Sequence, residues 1–200
     1  MTPTTPALKF LKLAVKTSFE IHADPAESIY DECVRQFHME IIATDGTDDE
    51  DEELVEISVG RLTIAHLRFD VALNLGSDPI IVADSIAGDV LEVCELAYDE
   101  DKPLVEEGMH GDSLFVLRYN LEERCRGTDL ECEALRGALI GLSSGCSKAF
   151  MRCSVMANPS RPESAANNEV ALRFANLGFQ PVSLGNDMLW LNLESRSFWE

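Results

Sequence analysis

Positive charge is what this sequence has least of. Lysine and arginine total 16 against 36 aspartates and glutamates, a formal charge of −20 with a pI near 4.4. Phosphate contacts need a basic face, so this balance argues against direct nucleic-acid binding, and equally against docking on an anionic membrane. No apolar run approaches the length of a membrane span. The N-terminal stretch scatters Lys9, Lys12 and Lys16 through a short apolar segment, with no continuous apolar core and no clean small-residue cleavage site, so it does not read as a signal peptide. Metal-site spacing is lacking too. No Cys-x-x-Cys occurs, and His22, His38, His66 and His110 are dispersed, so no metal is expected.

What remains suits a globule. Hydrophobic residues make up 46% of 200 residues, enough for one core of ordinary size or two small ones. The cysteines Cys33, Cys94, Cys125, Cys132, Cys146 and Cys153 sit mostly inside apolar-periodic segments. They are expected as free, small buried hydrophobes in a reducing cytoplasm. The negative balance fits a soluble protein, one with a basic partner, or an imitator of a polyanion.

Along the chain, Leu8 to Phe19 alternates loosely, as an edge strand would. Asp24-Pro25 reads as a helix start, followed by Ile29, Cys33 and Phe37 at helical spacing, and His38 to Thr44 as a short β-rich run. The acidic stretch Asp45 to Glu56 contains Asp48-Asp49-Glu50-Asp51-Glu52-Glu53 and reads as a solvated loop or as a docking surface for a basic partner. Leu54 to Phe69 predicts one long strand or a hairpin around Gly60. Asp84 predicts the cap of a helix with the stripe Ile86, Val90, Val93, Cys94 and Ala97. After a loop with Pro103 and Gly108 come a strand over Asp112–Glu122, a helix from Thr128, a strand over Lys148–Met156 and a helix over Glu163–Leu177. Phe179–Leu184 and Met188–Leu193 then predict a hairpin around Gly185-Asn186. The expectation is a single domain, residues 1–53 being a divergent N-terminal part and 54–193 its core. Its class is α/β, a mixed, mostly antiparallel sheet flanked by helices.

Two patterns carry no chemistry. Gly141-Leu142-Ser143-Ser144-Gly145 fits the G-x-S-x-G string, but a nucleophile elbow runs from strand to helix and here the order is reversed. Trp190 and Trp199 have no basic groove beside them and read as structural aromatics.

The order strand, charged turn, helix, strand, helix, Leu-Gly-Phe, strand pair resembles the GCN5-related N-acetyltransferase superfamily. The residues that carry the likeness are Leu114-Phe115-Val116-Leu117-Arg118-Tyr119-Asn120-Leu121-Glu122, then Arg124-Cys125-Arg126-Gly127, then Asn167 with Phe174-Ala175-Asn176-Leu177-Gly178-Phe179. It covers roughly residues 112 to 193, and more faintly the strands from 54 onward, and says nothing about a substrate. The resemblance implies a GNAT-like sheet and an acetyl-CoA or other acyl-CoA cofactor, bound where strands 112–122 and 148–156 splay apart. Leu121, Arg124, Arg126, Gly127, Thr128 and Asn167 would then face the cofactor, with Glu122 and Tyr119 near where a base could sit. A cationic acceptor, small molecule or basic protein, suits the negative field.

The departures from the family pattern matter as much. Its Arg/Gln-x-x-Gly-x-Gly/Ala loop can be laid from Arg124, with Gly127 first and Asp129 second, or from Arg126, with Asp129 and Glu131 at the small positions. Either register puts acid where a diphosphate would approach backbone amides. Thr128-x-x-Glu131 also matches a capping box, which would satisfy those amides from within. Where many relatives carry a tyrosine near the end of the last helix, the position here is Phe174, which has no proton to give. Two readings stand side by side: an acyl-CoA-dependent N-acyltransferase, or a catalytically lapsed, acidic member of the fold that acts on a basic partner as inhibitor, antitoxin or nucleic-acid mimic.

Overall fold

A computed structural model describes residues 8–17, 32–45, 55–86, 88–97, 111–156, 163–182 and 187–199. Most of the acidic stretch 45–56, the Asp24-Pro25 helix start and the Gly185-Asn186 turn lie outside them. Seven strands form one sheet in the order β1-β2-β3-β4-β5-β7-β6. They are β1 (Leu8–Thr17), β2 (Val34–Asp45), β3 (Val55–Leu67), β4 (Asp112–Leu121), β5 (Cys146–Arg152), β6 (Gln180–Pro181) and β7 (Met188–Asn192). Every neighbouring pair is antiparallel except β4 with β5. The expected mixed, mostly antiparallel sheet flanked by helices is therefore what the chain forms. The sheet runs without a break across residue 53, because β1 and β2 pair onward to β3.

Period-two alternation sends successive side chains to opposite faces, and each face has its own helices. Leu114 and Val116 of β4, with Ala149 and Met151 of β5, pack under α4 (Asp129–Leu142) and α5 (Glu163–Ala175). Phe115 and Phe150 point the other way and stack with ring centroids 5.2 Å apart. They lie under α1 (Phe69–Asn74), α2 (Pro79–Ile86) and α3 (Gly88–Ala97), which bury Phe69, Ala72, Val82, Val90 and Val93. A short α6 (Arg196–Trp199) closes the described chain.

Three expectations are corrected. Phe37 lies in β2, not on a helix; pairing with β1 and β3 favours the alternation of Met39, Ile41 and Ala43, all buried, over the helical spacing that ends at Phe37. Of the two forms expected for the segment around Gly60, the single long strand is the one seen, over residues 55–67, and Gly60 sits where the β2–β3 register slips. Asp84 is an exposed residue within α2, not at a helix start; the apolar stripe predicted to follow it is divided between α2 and α3, though Val90, Val93 and Cys94 are buried as the spacing predicts. β5 stops at Arg152 and turns into a single 3-10 turn, Cys153–Val155, where the sequence predicts strand to Met156. The short helix α1 has no counterpart in the sequence reading. All six thiols are free; five are buried and Cys132 is half-buried.

Candidate functional site

The parallel pair creates the site. β4 and β5 pair from Asp112↔Cys146 to Val116↔Met151, with one register slip between Asp112 and Ser113, and pair no further. Beyond that point β4 runs on beside β3, while β5 ends. The β3–β4 register also skips one residue, passing from Ile64↔Val116 to Thr63↔Arg118, so Leu117 is an extra residue at the fork. A bulge of this kind kinks the strand and leaves its backbone out of the ladder. The fork opens into an apolar cleft of about 270 Å³ including its mouth, lined by Val116, Leu117, Met151, Val155 and, from α3, Val90 and Val93. The charged side chain lining it is Arg152, whose guanidinium donates to Asp187 Oδ1 at 2.8 Å and to Glu92 of α3.

At the far end of β4 a 3-10 turn, Glu123–Cys125, leads into α4. Gly127 has φ +71°, a conformation that glycine adopts without strain. The turn gathers most of the sequence-predicted residues. Glu122 is exposed; its amide donates to Val59 O at 2.8 Å, and its carboxylate accepts from Arg124 Nε at 2.8 Å. Arg126 Nε donates to the carbonyl of Leu121 at 2.9 Å. Neither arginine reaches over the start of α4; each is folded back on the strand end.

The capping box takes a different form. The Thr128 hydroxyl turns away from the helix and donates to Cys125 O at 2.7 Å. The Glu131 carboxylate reaches back past the cap residue and accepts the amide of Gly127 at 2.9 Å. Its partner explains why. Arg173 of α5 donates to the same oxygen, Glu131 Oε2, at 2.5 Å, and to Glu169 at 3.0 Å. Glu131 is 3% exposed and Arg173 21%. Among the described residues no acceptor meets the amides of Thr128, Asp129 or Leu130. The first turn of α4 therefore keeps open donors, but a buried carboxylate and the exposed Asp129 stand beside them.

The other expected residues sit apart from the turn. Tyr119 is 4% exposed and its hydroxyl donates to the carbonyl of Glu131 at 2.7 Å, bracing β4 against α4. Burial pushes its pKa upward, and the neighbouring Glu131 adds to the rise. Asn167 is half-buried on α5, with a buried Oδ1 that has no partner among the described residues. Phe174 is fully buried and meets Phe179 edge-on, at 6.2 Å and 82°. Arg173 escaped the sequence reading, because nothing local links it to Glu131, 42 residues away.

A second cluster lies at the opposite end of the same strands. His66 Nε2 is 2.8 Å from Asp112 Oδ2 and 3.4 Å from Cys146 Sγ. A relay would use both ring nitrogens, one toward the thiol and one toward the carboxylate. Here one nitrogen serves both. Burial, with the Asp112 charge, pushes the Cys146 thiol up to about 12, so it is not a nucleophile at neutral pH. The cluster is a structural clasp across β3, β4 and β5.

No family model matches the chain, and no curated protein matches it. Solved structures similar to it include a KacTA–DNA complex, at 13% identity over 90% of this chain and 93% of that one, with a TM-score of 0.40. A tyrosine-to-phenylalanine mutant of the AtaT toxin bound to the C-terminus of the antitoxin AtaR is similar at 13% identity over 90% and 92%, with a TM-score of 0.39. AtaTR bound with AcCoA is similar at 12% identity over 90% and 93%, also with a TM-score of 0.39. Likeness at these scores carries nothing about activity, cofactor or partner. The fork between β4 and β5, ahead of the turn and α4, lies where the resemblance implies that strands 112–122 and 148–156 splay apart.

Proposed function

We propose that this chain is a GNAT-fold protein that no longer uses a thioester cofactor and serves as an acidic binding protein for a basic partner. One observation carries the reading. The Glu131 carboxylate occupies the Gly127 amide and is neutralised by Arg173, so the anion position of the turn is filled from inside the chain. A diphosphate brought to the remaining amides would meet the exposed Asp129 and find the Gly127 amide already taken by Glu131, whose charge Arg173 balances. In this reading the turn does not fit the cofactor. Two further features support the reading: Phe174 offers no proton to a leaving thiolate, and Tyr119 spends its own on a carbonyl. The charge of −20 favours a basic partner. Affinity capture from a cell lysate at low and high salt tests this. A partner released by salt supports the electrostatic version, and a complex indifferent to ionic strength counts against it.

A second reading has specific support as well. The open fork and the unengaged amides of Thr128, Asp129 and Leu130 favour an acyl-CoA-dependent N-acyltransferase on a cationic acceptor. In that reading Leu121, Arg124, Arg126, Gly127, Thr128 and Asn167 hold acetyl-CoA or another acyl-CoA. Exposed Glu122 is a better base than the buried Tyr119. Titration with coenzyme A separates the two readings.

A further inference from the structure

The helical layer α1–α3 does not finish its own burial. Its inner side packs on Phe115 and Phe150, but Leu73 is 60% exposed, Leu75 43% and Ile81 56%. These three of the large exposed hydrophobics among the described residues fall within nine consecutive positions of α1, the following turn and α2. An isolated exposed leucine means nothing, but several on one short segment mark an interaction surface. The same layer is acidic throughout. Residues 69–97 contain Asp70, Asp78, Asp84, Asp89, Glu92 and Glu95 and no lysine or arginine. Asp70, Asp78, Asp84 and Glu95 are exposed.

We infer that this face docks a cationic amphipathic segment of another protein, its apolar residues on Leu73, Leu75 and Ile81 and its lysines or arginines against the surrounding carboxylates. The inference rests on the reading of the chain as a binder of a basic partner, and gives that partner a location and a chemistry. Charge excludes the alternatives. A second copy would bring its own carboxylates against these, and an anionic membrane or a nucleic acid would be repelled. The chain's own segment 98–110 holds Asp99, Glu100, Asp101, Glu106 and Glu107 against Lys102, the wrong sign for this face.

The test uses the full chain and a fluorescent synthetic peptide with leucines at i, i+3, i+4 spacing and lysines elsewhere, read by anisotropy. Saturable binding to the wild-type chain is expected, weakened about tenfold or more in Leu73→Ser/Ile81→Ser, since each removes an aliphatic side chain from the buried contact. Asp78→Asn/Asp84→Asn is expected to bind more weakly and with a flatter salt dependence. Asp78→Asn keeps a side-chain carbonyl oxygen for the start of α2, where Asp78 Oδ1 accepts the Ile80 amide at 2.9 Å. Ile140→Ser/Leu172→Ser, exposed apolar positions on α4 and α5, is expected to bind like wild type. Undiminished binding by Leu73→Ser/Ile81→Ser overturns this face while the acidic-binder reading stands. No binding by the wild-type chain at low salt overturns both.

Discussion

The Glu131 carboxylate, on the first turn of α4, lies 2.9 Å from the amide nitrogen of Gly127 and shares its oxygen with Arg173 of α5. One side chain thus satisfies a turn, neutralises a cation and joins two helices. It also occupies the Gly127 amide from within the chain.

Breaking that pair strands a charge. Arg173→Met leaves Glu131 buried with one amide donor, and is expected to lower stability by about 2–4 kcal/mol, at the low end of buried pairs because Arg173 keeps some solvent. Glu131→Gln keeps an acceptor for Gly127 and is expected to be milder, about 1–2 kcal/mol. Urea unfolding with unchanged m-values checks both.

Tyr119→Phe removes one buried hydroxyl donor from the carbonyl of Glu131. A loss of about 1 kcal/mol is expected in the same urea experiment. With the residue serving only as a brace, partner binding is expected to be unchanged.

Gly60 lies where β3 passes closest to the end of β4. A Cβ there would come 2.5 Å from Asn120 O and 3.2 Å from Leu121 Cα, both backbone atoms. Gly60→Ala is expected to cost about 3 kcal/mol by forcing the strands apart. Gly141, within α4, would meet nothing within 4 Å. Gly141→Ala is expected to stabilise by about 0.5–1 kcal/mol. Thermal unfolding of the two variants side by side reads the contrast.

The clasp at His66 gives a pH dependence. Burial lowers its pKa below the ordinary value, and the hydrogen bond to Asp112 only partly opposes this. A histidine depressed in the folded state protonates first in the unfolded chain. Its contribution is therefore complete above about pH 6.5 and is lost as pH falls from there toward the folded pKa. The groups facing it are Asp112, Cys146, Arg68 and Arg35. Stability of wild type minus that of His66→Asn, followed from about pH 8 to about pH 5, should decline across that window. A flat difference would contradict the assignment.

Much of the frame is legible in the sequence because it is local. β4, α4 and α5 follow from apolar periodicity. The Leu-Gly-Phe ending appears in the structure as Gly178 at φ +93°, where a Cβ would press on Leu191 at 3.2 Å. What stays hidden depends on contacts between distant segments. Phe37 keeps helical spacing with Cys33 and still joins a strand, because β1 and β3 offer partners on both sides. Thr128 and Glu131 have the letters of a capping box, yet Arg173 draws the carboxylate one residue upstream. Period alone does not show that two helices divide residues 79–97, nor that one of them borders the fork.

Isothermal titration of the wild-type chain with coenzyme A and acetyl-CoA, carried to millimolar ligand, bears most directly on the filled turn. No saturable heat is expected from either. A saturable isotherm with one site per chain would show that a diphosphate displaces or tolerates Glu131, and would hand the fork back to acyl transfer.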